Sequence, residues 1–235
     1  MTIDVRPAAE RFRSEYDGIV SHHSFSFATH YDPTNVGHAL LVAHNDDVVA
    51  PGSGYATHPH RDLEIVTWVL EGGLRHEDSR GHAGVVVPGV VQRLSAGSGV
   101  LHSERNDSST GYAVRFVQMW MLPDETGTEP SYAQHDAGSD LAGGGLVPLA
   151  GGGAPVTLGA RGAVLSGARM APGGTVTLPD APAVHVFVAR GGAELEGAGP
   201  LGEGDAVRLD DAGPRTVTAA APGCELLAWA MPRTR

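Results

Sequence analysis

The chain has a single cysteine, a shortage of basic residues and no long hydrophobic run. One thiol, Cys224, cannot build an internal disulfide framework or a cysteine-rich zinc module. Sixteen Lys and Arg against 27 Asp and Glu leave a formal net charge of −11, which argues against a nucleic-acid surface as the main function. No apolar run reaches the ~18 residues that a spanning helix needs. The opening stretch MTIDVRPAAERFRSEYDG has no apolar signal core. A soluble, cytoplasmic protein without a membrane segment is the expectation.

Glycine and proline, by contrast, are abundant: 33 and 16 in 235 residues, spread between apolar runs rather than gathered into low-complexity tracts. Such punctuation predicts many strands joined by tight turns. The length holds one large β domain or two of about 100 residues each. Glu64 to Leu70, EIVTWVL, is β-branched and aromatic and stops at Glu71-Gly72-Gly73. Tyr112 to Leu122, YAVRFVQMWML, is apolar at both sets of alternating positions, so it predicts a strand buried on both faces, as in a sandwich or barrel. Helical patterns are few and short, the best lying at Ala8 to Tyr16. Pro123 to Asp140 is polar and turn-rich and reads as a linker.

The two halves resemble degenerate copies of one another. VTWVLEGG, VPGVVQRLSAG and VQMWMLP in the first half return in the same order as VHVFVARGG, GEGDAVRLDDAG and LLAWAMP in the second. This predicts two similar β domains in tandem rather than a solenoid.

Eleven of the twelve histidines precede Asp136, and only His185 follows it. His58 and His60, in Thr57-His58-Pro59-His60, are spaced i, i+2, which on a strand puts both imidazoles on one face. His102 and Glu104 in Leu101-His102-Ser103-Glu104 repeat the spacing. If the two strands are neighbours, three imidazoles and a carboxylate converge. That donor set suits Fe(II), Mn, Ni, Cu, Co or Zn, with coordination positions left open for chemistry. An isolated HxH is commonly a surface or satisfied core pair; two such pairs beside turn clusters point to a metal site.

The surroundings carry a resemblance. Gly52-x5-His58-x-His60-x3-Glu64 follows the first cupin motif, and Ser95-Ala96-Gly97-Ser98-Gly99-x2-His102-x3-Asn106 is similar to the second. More specifically, HPHRDLEIVTWVLEGGLRHEDSRGH followed by PGVVQRLSAGSGVLHSERN resembles the pirin family of bicupins, from about His22 to Pro123. The resemblance implies an all-β fold of two tandem jelly-roll domains: a metal-binding cupin over residues 1–135, with a linker near 123–140, and a degenerate cupin over 141–235. It also implies that His58, His60, His102 and Glu104 hold one divalent metal, usually iron, and that Glu64 is not a ligand. Aligning the glycine turns of the two halves sets Thr177 and Pro179 against His58 and His60, and Thr218 and Ala220 against His102 and Glu104. One metal per chain is therefore expected, with His185 structural.

For function, the resemblance implies a metal-dependent dioxygenase that cleaves a flavonol such as quercetin with O2 and releases carbon monoxide, Glu104 acting as proton acceptor. Two alternatives stay open: an iron-dependent, redox-responsive regulator that binds a protein partner, and a metalloenzyme with another aromatic substrate. Asn106 either supports Glu104 or caps a turn, and Glu64 either orients a ligand or pairs with a cation. Phe25, Phe27, Trp68 and Trp120 read as core aromatics, with room for one or two to line a pocket. His22, His23, His76 and His82 read as turn and hydrogen-bonding residues, Arg61-Asp62 as a solvated pair by default with an ion pair at the pocket mouth as the alternative, and Cys224 as buried or inert.

Overall fold

The β-branched and aromatic runs fold into nineteen strands in a computed structural model whose described residues are 1–107 and 111–233. In the first half these are β1 (Thr2–Arg6), β2 (Phe12–Tyr16), β3 (Ile19–His23), β4 (Leu41–Val49), β5 (Gly54–His60), β6 (Glu64–Glu71) and β7 (Leu74–Asp78). They continue with β8 (Ala83–Val86), β9 (Val90–Ser95), β10 (Val100–Arg105), β11 (Val114–Met121) and β12 (Ser131–Asp136). The second half holds β13 (Val147–Gly151), β14 (Val164–Met170), β15 (Thr175–Thr177), β16 (Ala183–Leu195), β17 (Gly199–Gly202), β18 (Ala206–Asp210) and β19 (Thr216–Met231). No helix among the described residues is long and apolar enough to cross a membrane.

Two readings shift. Ala8 to Tyr16 is a 3-10 turn at Ala8–Glu10 followed by β2, because pairing with β3 satisfies the backbone that a short helix would leave open. Within the stretch read as linker, Ser131–Asp136 forms β12 and completes a ladder with β9 from Ser131 opposite Ser95 to Asp136 opposite Val90.

A seven-stranded sheet runs in the order β12-β9-β6-β11-β4-β3-β2, and a four-stranded sheet runs β5-β10-β7-β8. Ile19, Val49, Val69 and Phe116 of the larger sheet pack with Leu74 and Val86 of the smaller one, so the two are layers of one sandwich. The second half forms an eight-stranded sheet ordered β1-β18-β16-β19-β14-β13, with β15 on β19 and β17 on β16. Both long strands change register along their length, and residues from their two ends share one core. The halves are thus layered sandwiches, as the all-β bicupin expectation required.

The internal repeat is visible in the ladders. β9-β6-β11-β4 and β18-β16-β19-β14 hold the same relative places in their sheets, and β12 beside β9 matches β1 beside β18. The first strand of the chain therefore belongs to the C-terminal sheet. Gly72 and Gly191, the repeat's equivalent glycines, both take left-handed backbone, at φ 74° and 71°. A Cβ on Gly191 would collide with the Gly223 carbonyl of the adjoining strand, and one on Gly72 would crowd the Ala113 carbonyl at 3.1 Å. Trp68 lies opposite Val117 as Phe187 lies opposite Leu227, which makes Trp229 the counterpart of Met119 rather than of Trp120. That one-residue slip decides which face each indole occupies.

Every residue of β6 from Glu64 to Leu70 is buried. Val66, Trp68 and Leu70 share a core cluster with Phe187, Leu227 and Trp229 of the second half, while Ile65 and Val69 face the sandwich interior. Two polar ties cross the same boundary: Trp68 Nε1 donates to Glu225 Oε1 at 2.7 Å, and Trp229 Nε1 lies 3.1 Å from Met119 Sδ.

His38, His44 and His185 also meet there, the His185 ring 4.8 Å from His44 and 6.3 Å from His38. Neither nitrogen of His185 has a hydrogen-bond partner among the described residues. Burial holds the His44 and His185 pKa values well below the ordinary 6.5, reinforced by Arg11 and Arg208 at His44 and by His44, His38 and the same two arginines at His185. The unfolded chain takes up protons below that value and the folded chain does not. The contribution is therefore complete above about pH 6.5 and falls as pH drops, by up to about 1.4 kcal/mol per ring per pH unit. His185→Leu is expected to lose less of its melting temperature between about pH 7 and pH 5 than the parent, measured by thermal denaturation at both values. An equal loss in the two proteins would show that the ring does not titrate on unfolding.

Candidate metal centre

The four-stranded sheet supplies the convergence that the i, i+2 pairs require. β10 lies between β5 and β7, with His102 opposite His58 on one side and opposite Asp78 on the other. Glu104 lies opposite His76. A register shift between His102 and Glu104 marks a bulge in the β5 pairing, and there the Ala56 carbonyl accepts His58 Nδ1–H at 2.7 Å. With Nδ1 protonated, the His58 lone pair is on Nε2.

The rings of His58, His60 and His102 lie 4.5–4.9 Å apart, centroid to centroid. One ligand atom from each falls within 4.8 Å of the others. A second group with the same spacing contains His102, Glu104 and His76. The structure thus brings the four residues singled out in the sequence into two overlapping groups joined at His102, and adds His76. His60 Nε2 and both nitrogens of His102 are buried without a hydrogen-bond partner among the described residues. Unpaired buried nitrogen is costly unless something accepts its lone pair or proton, so the donor set fits a metal ion. Burial, then repulsion among neighbouring histidines, lowers His60 and His102 to a pKa of about 3, keeping both neutral and able to coordinate.

Glu104 is 1% exposed, and burial raises its pKa above the usual carboxylate range. Gln118, on β11 of the facing sheet, opposes that shift by donating Nε2–H to Glu104 Oε1 and Oε2 at 2.9 and 2.8 Å. Trp120 Nε1 donates to Gln118 Oε1 at 3.0 Å, which sets the amide's orientation. Trp120 also meets His60 edge to face, with ring centroids 4.8 Å apart. Gln118 was not singled out in the sequence. Its signal was a polar residue at an inward position of an otherwise apolar strand.

His76 was legible by the same spacing as the others. Leu74, His76 and Asp78 alternate along β7, and the last two side chains are fully buried. His76 Nε2 meets Asp78 Oδ2 at 3.3 Å, and His82 Nδ1 meets it at 3.0 Å, so the expected hydrogen-bonding roles are present as well. Asn106 donates to the Val49 and Tyr112 carbonyls, a turn-holding role, and Glu64 accepts from Ser95 Oγ and the Gly159 amide. Asp62 accepts from the Gly127 amide, which fixes a loop. Phe25 and Trp68 are core residues, while Phe27 stacks near His23 and meets Trp120. Cys224 is buried, which pushes its thiol up to a pKa of about 11.

His60 also borders an open cleft of about 420 Å³, together with Pro59, Arg61, Val100 and Leu101. Leu101 is 47% exposed on its rim.

The pirin family model matches residues 5–121. Over 234 residues the chain is 52% identical to the Mycobacterium tuberculosis protein named "Putative quercetin 2,3-dioxygenase", covering 98% of this chain and 95% of that one. The chain belongs to the pirin family. It is also 46% identical over 132 residues to the quercetin 2,3-dioxygenase of Escherichia coli, covering 56% of this chain and 57% of that protein. Among solved structures, the bacterial pirin YhhW of Escherichia coli in complex with nickel(II) superposes with a TM-score of 0.90 at 30% identity, covering 99% of this chain and 100% of that one. The family match covers the strands that carry both histidine pairs, Gln118 and Trp120.

Replacing Gln118 by Leu removes both donors from a buried carboxylate. The Glu104 pKa then rises further, and ionisation, which coordination requires, moves to higher pH. Gln118→Leu is expected to lower Ni(II) affinity at neutral pH by about 10- to 100-fold, with a smaller deficit at higher pH, measured by competition with a chromophoric chelator. Unchanged affinity would show that the amide does not hold Glu104.

Proposed function

We propose that the chain is a metal-dependent oxidoreductase of the quercetin 2,3-dioxygenase type. One divalent ion is held by His58, His60, His102 and Glu104 in the half formed by residues 1–135 apart from β1, and residues 141–235, with β1 on their sheet, back that half without a metal of their own. The observation that carries this reading is the convergence of unpartnered imidazole nitrogens and a carboxylate inside the sandwich. The names of relatives that span the chain or its metal-binding half support the reaction class. Iron is the metal proposed, with Ni, Cu, Co, Mn and Zn as others the donor set accepts.

The bound metal would supply Lewis acidity and align the reactants. The chain's own residues do the rest. His60 and His102 remain neutral donors, and with His58 they leave the exposed side of the centre free for a flavonol. Glu104 accepts the proton of the 3-hydroxyl at a carboxylate oxygen, and burial makes it a stronger base than an exposed glutamate. Gln118 keeps the carboxylate in place while the proton moves. Trp120 excludes water beside His60, and Pro59, Val100 and Leu101 offer apolar walls to a flat ring system. Dioxygen then enters the electron-rich ring, and the cleaved product leaves with carbon monoxide.

The test is anaerobic loading with Fe(II) followed by a quercetin assay that records oxygen uptake and carbon monoxide. Native protein is expected to form carbon monoxide, Glu104→Ala to lose at least about 100-fold in rate, and His58→Ala to lose bound metal and turnover together. Turnover that survives complete metal removal would overturn the assignment. Tight iron binding with no consumption of quercetin would remove the flavonol as substrate.

A further inference from the structure

A second cavity, of about 260 Å³, lies where β1 and the loops after β3 meet β18. It is walled by Arg11, Phe12, Phe25, Asn35 and Arg208, among others. It shares no residue with the metal-capable groups. Two guanidinium groups approach it from opposite halves of the chain. The Arg11 side chain is 4% exposed, and Arg208 is 6% exposed. Each is held in place by backbone oxygens and a ring. Arg11 Nη2 donates to the His22 carbonyl at 2.6 Å and stacks over Phe187 at 5.1 Å. Arg208 Nη2 donates to the Ser24 carbonyl at 3.0 Å and to Asn35 Oδ1 at 2.6 Å, over Phe25 at 4.5 Å.

Neither cation is satisfied by these contacts. Among the described residues, neither the Nε–H of Arg11 nor the Nε–H of Arg208 has an acceptor, and both are buried. The carboxylate nearest Arg11, Asp46, stands at 4.0 Å and is committed to Arg115 at 2.8 Å. Two carboxylates also line the cavity, but among the described residues neither forms an ion pair with Arg11 or Arg208: Asp32 accepts from Thr34, and Glu10 lies exposed at its edge. A buried guanidinium with an unpaired N–H is costly, and a nearby anion would offset its charge. Both of these arginines, one from each half, line a space suited to a small molecule.

We infer that this cavity between the halves binds a small organic carboxylate, its carboxyl group received by Arg11 and Arg208. The planar guanidinium fork matches a carboxylate. The Phe12 ring, stacked on His30 at 4.1 Å, and the Phe25 ring supply apolar walls for the rest of the molecule. The cavity's size excludes a polymer, and the net charge of −11 repels polyanions at long range. Since the site joins β1 to β18 and the first-half loops, its occupant would clamp the two halves together.

The probes are benzoate, succinate and inorganic phosphate, titrated into the full chain at constant ionic strength and followed by calorimetry and melting temperature. Because carboxylates also coordinate metals, each titration is made with metal loaded and with metal removed. Benzoate or succinate is expected to bind saturably with a Kd below about 1 mM, to raise the melting temperature, and to do so in both forms. Arg11→Gln and Arg208→Gln are each expected to weaken binding by at least about tenfold. Asn35→Ala, which keeps both arginines but removes the Oδ1 that accepts from Arg208 and the Nδ2–H bond to the Ser24 carbonyl, is expected to weaken it less and keeps the test open should either arginine variant fold poorly. Binding that vanishes with the metal, affinity unchanged in the folded arginine variants, or no saturable binding would each overturn the inference. Phosphate binding tighter than either carboxylate would overturn the ligand class.

Discussion

Burial of β6 and β11 on both faces is the constraint on which the rest of the structure depends. A strand presents alternate residues to opposite sides, so each of these two divides its sequence between two environments. Val66, Trp68 and Leu70 with Val117, Met119 and Met121 form the boundary with the second half. Ile65, Thr67, Phe116, Gln118 and Trp120 look into the first sandwich, in paired register. Removing the second half would return the first set to water and loosen the strand that aims Gln118 at Glu104. The second half therefore supports the candidate centre through packing.

Within the sandwich, hydrogen bonds order what burial alone would leave costly. The Trp120 indole orients the Gln118 amide, the amide holds the Glu104 carboxylate, and the Ala56 carbonyl fixes the tautomer of His58. Burial acts on the imidazoles and the carboxylate in opposite senses, lowering one and raising the other, because it disfavours charge of either sign. Neutral imidazoles are what a metal needs, whereas a carboxylate biased toward protonation needs help to ionise. Gln118 provides that help without adding charge.

The pseudo-repeat explains why two sandwiches of dissimilar composition face one another closely. Equivalent strands meet at the boundary, so Trp229 of β19 touches Met119, its own counterpart on β11. The ends of the sheets are finished differently. β12 closes the first on β9, whereas the second is closed on β18 by β1, from the opposite end of the chain. That exchange brings Arg11 and Arg208 around one cavity.

Several features followed from the sequence by itself, because they depend on local period and turn chemistry. The all-β class, the two-faced burial of the central strands, the tandem repeat and the same-face pairing of His58 with His60 and of His102 with Glu104 are all consequences of residue spacing. The neighbourhood of those two pairs, the addition of His76 and the role of Gln118 were decided only by the tertiary structure. They depend on which strands adjoin and on the face a residue takes after a bulge or a one-residue slip. β12 was hidden for a related reason: a polar edge strand gains its identity from the ladder it joins rather than from its own composition. Placing β1 in the distant sheet likewise required the fold, since no local pattern tells a strand which half of the chain holds its partner.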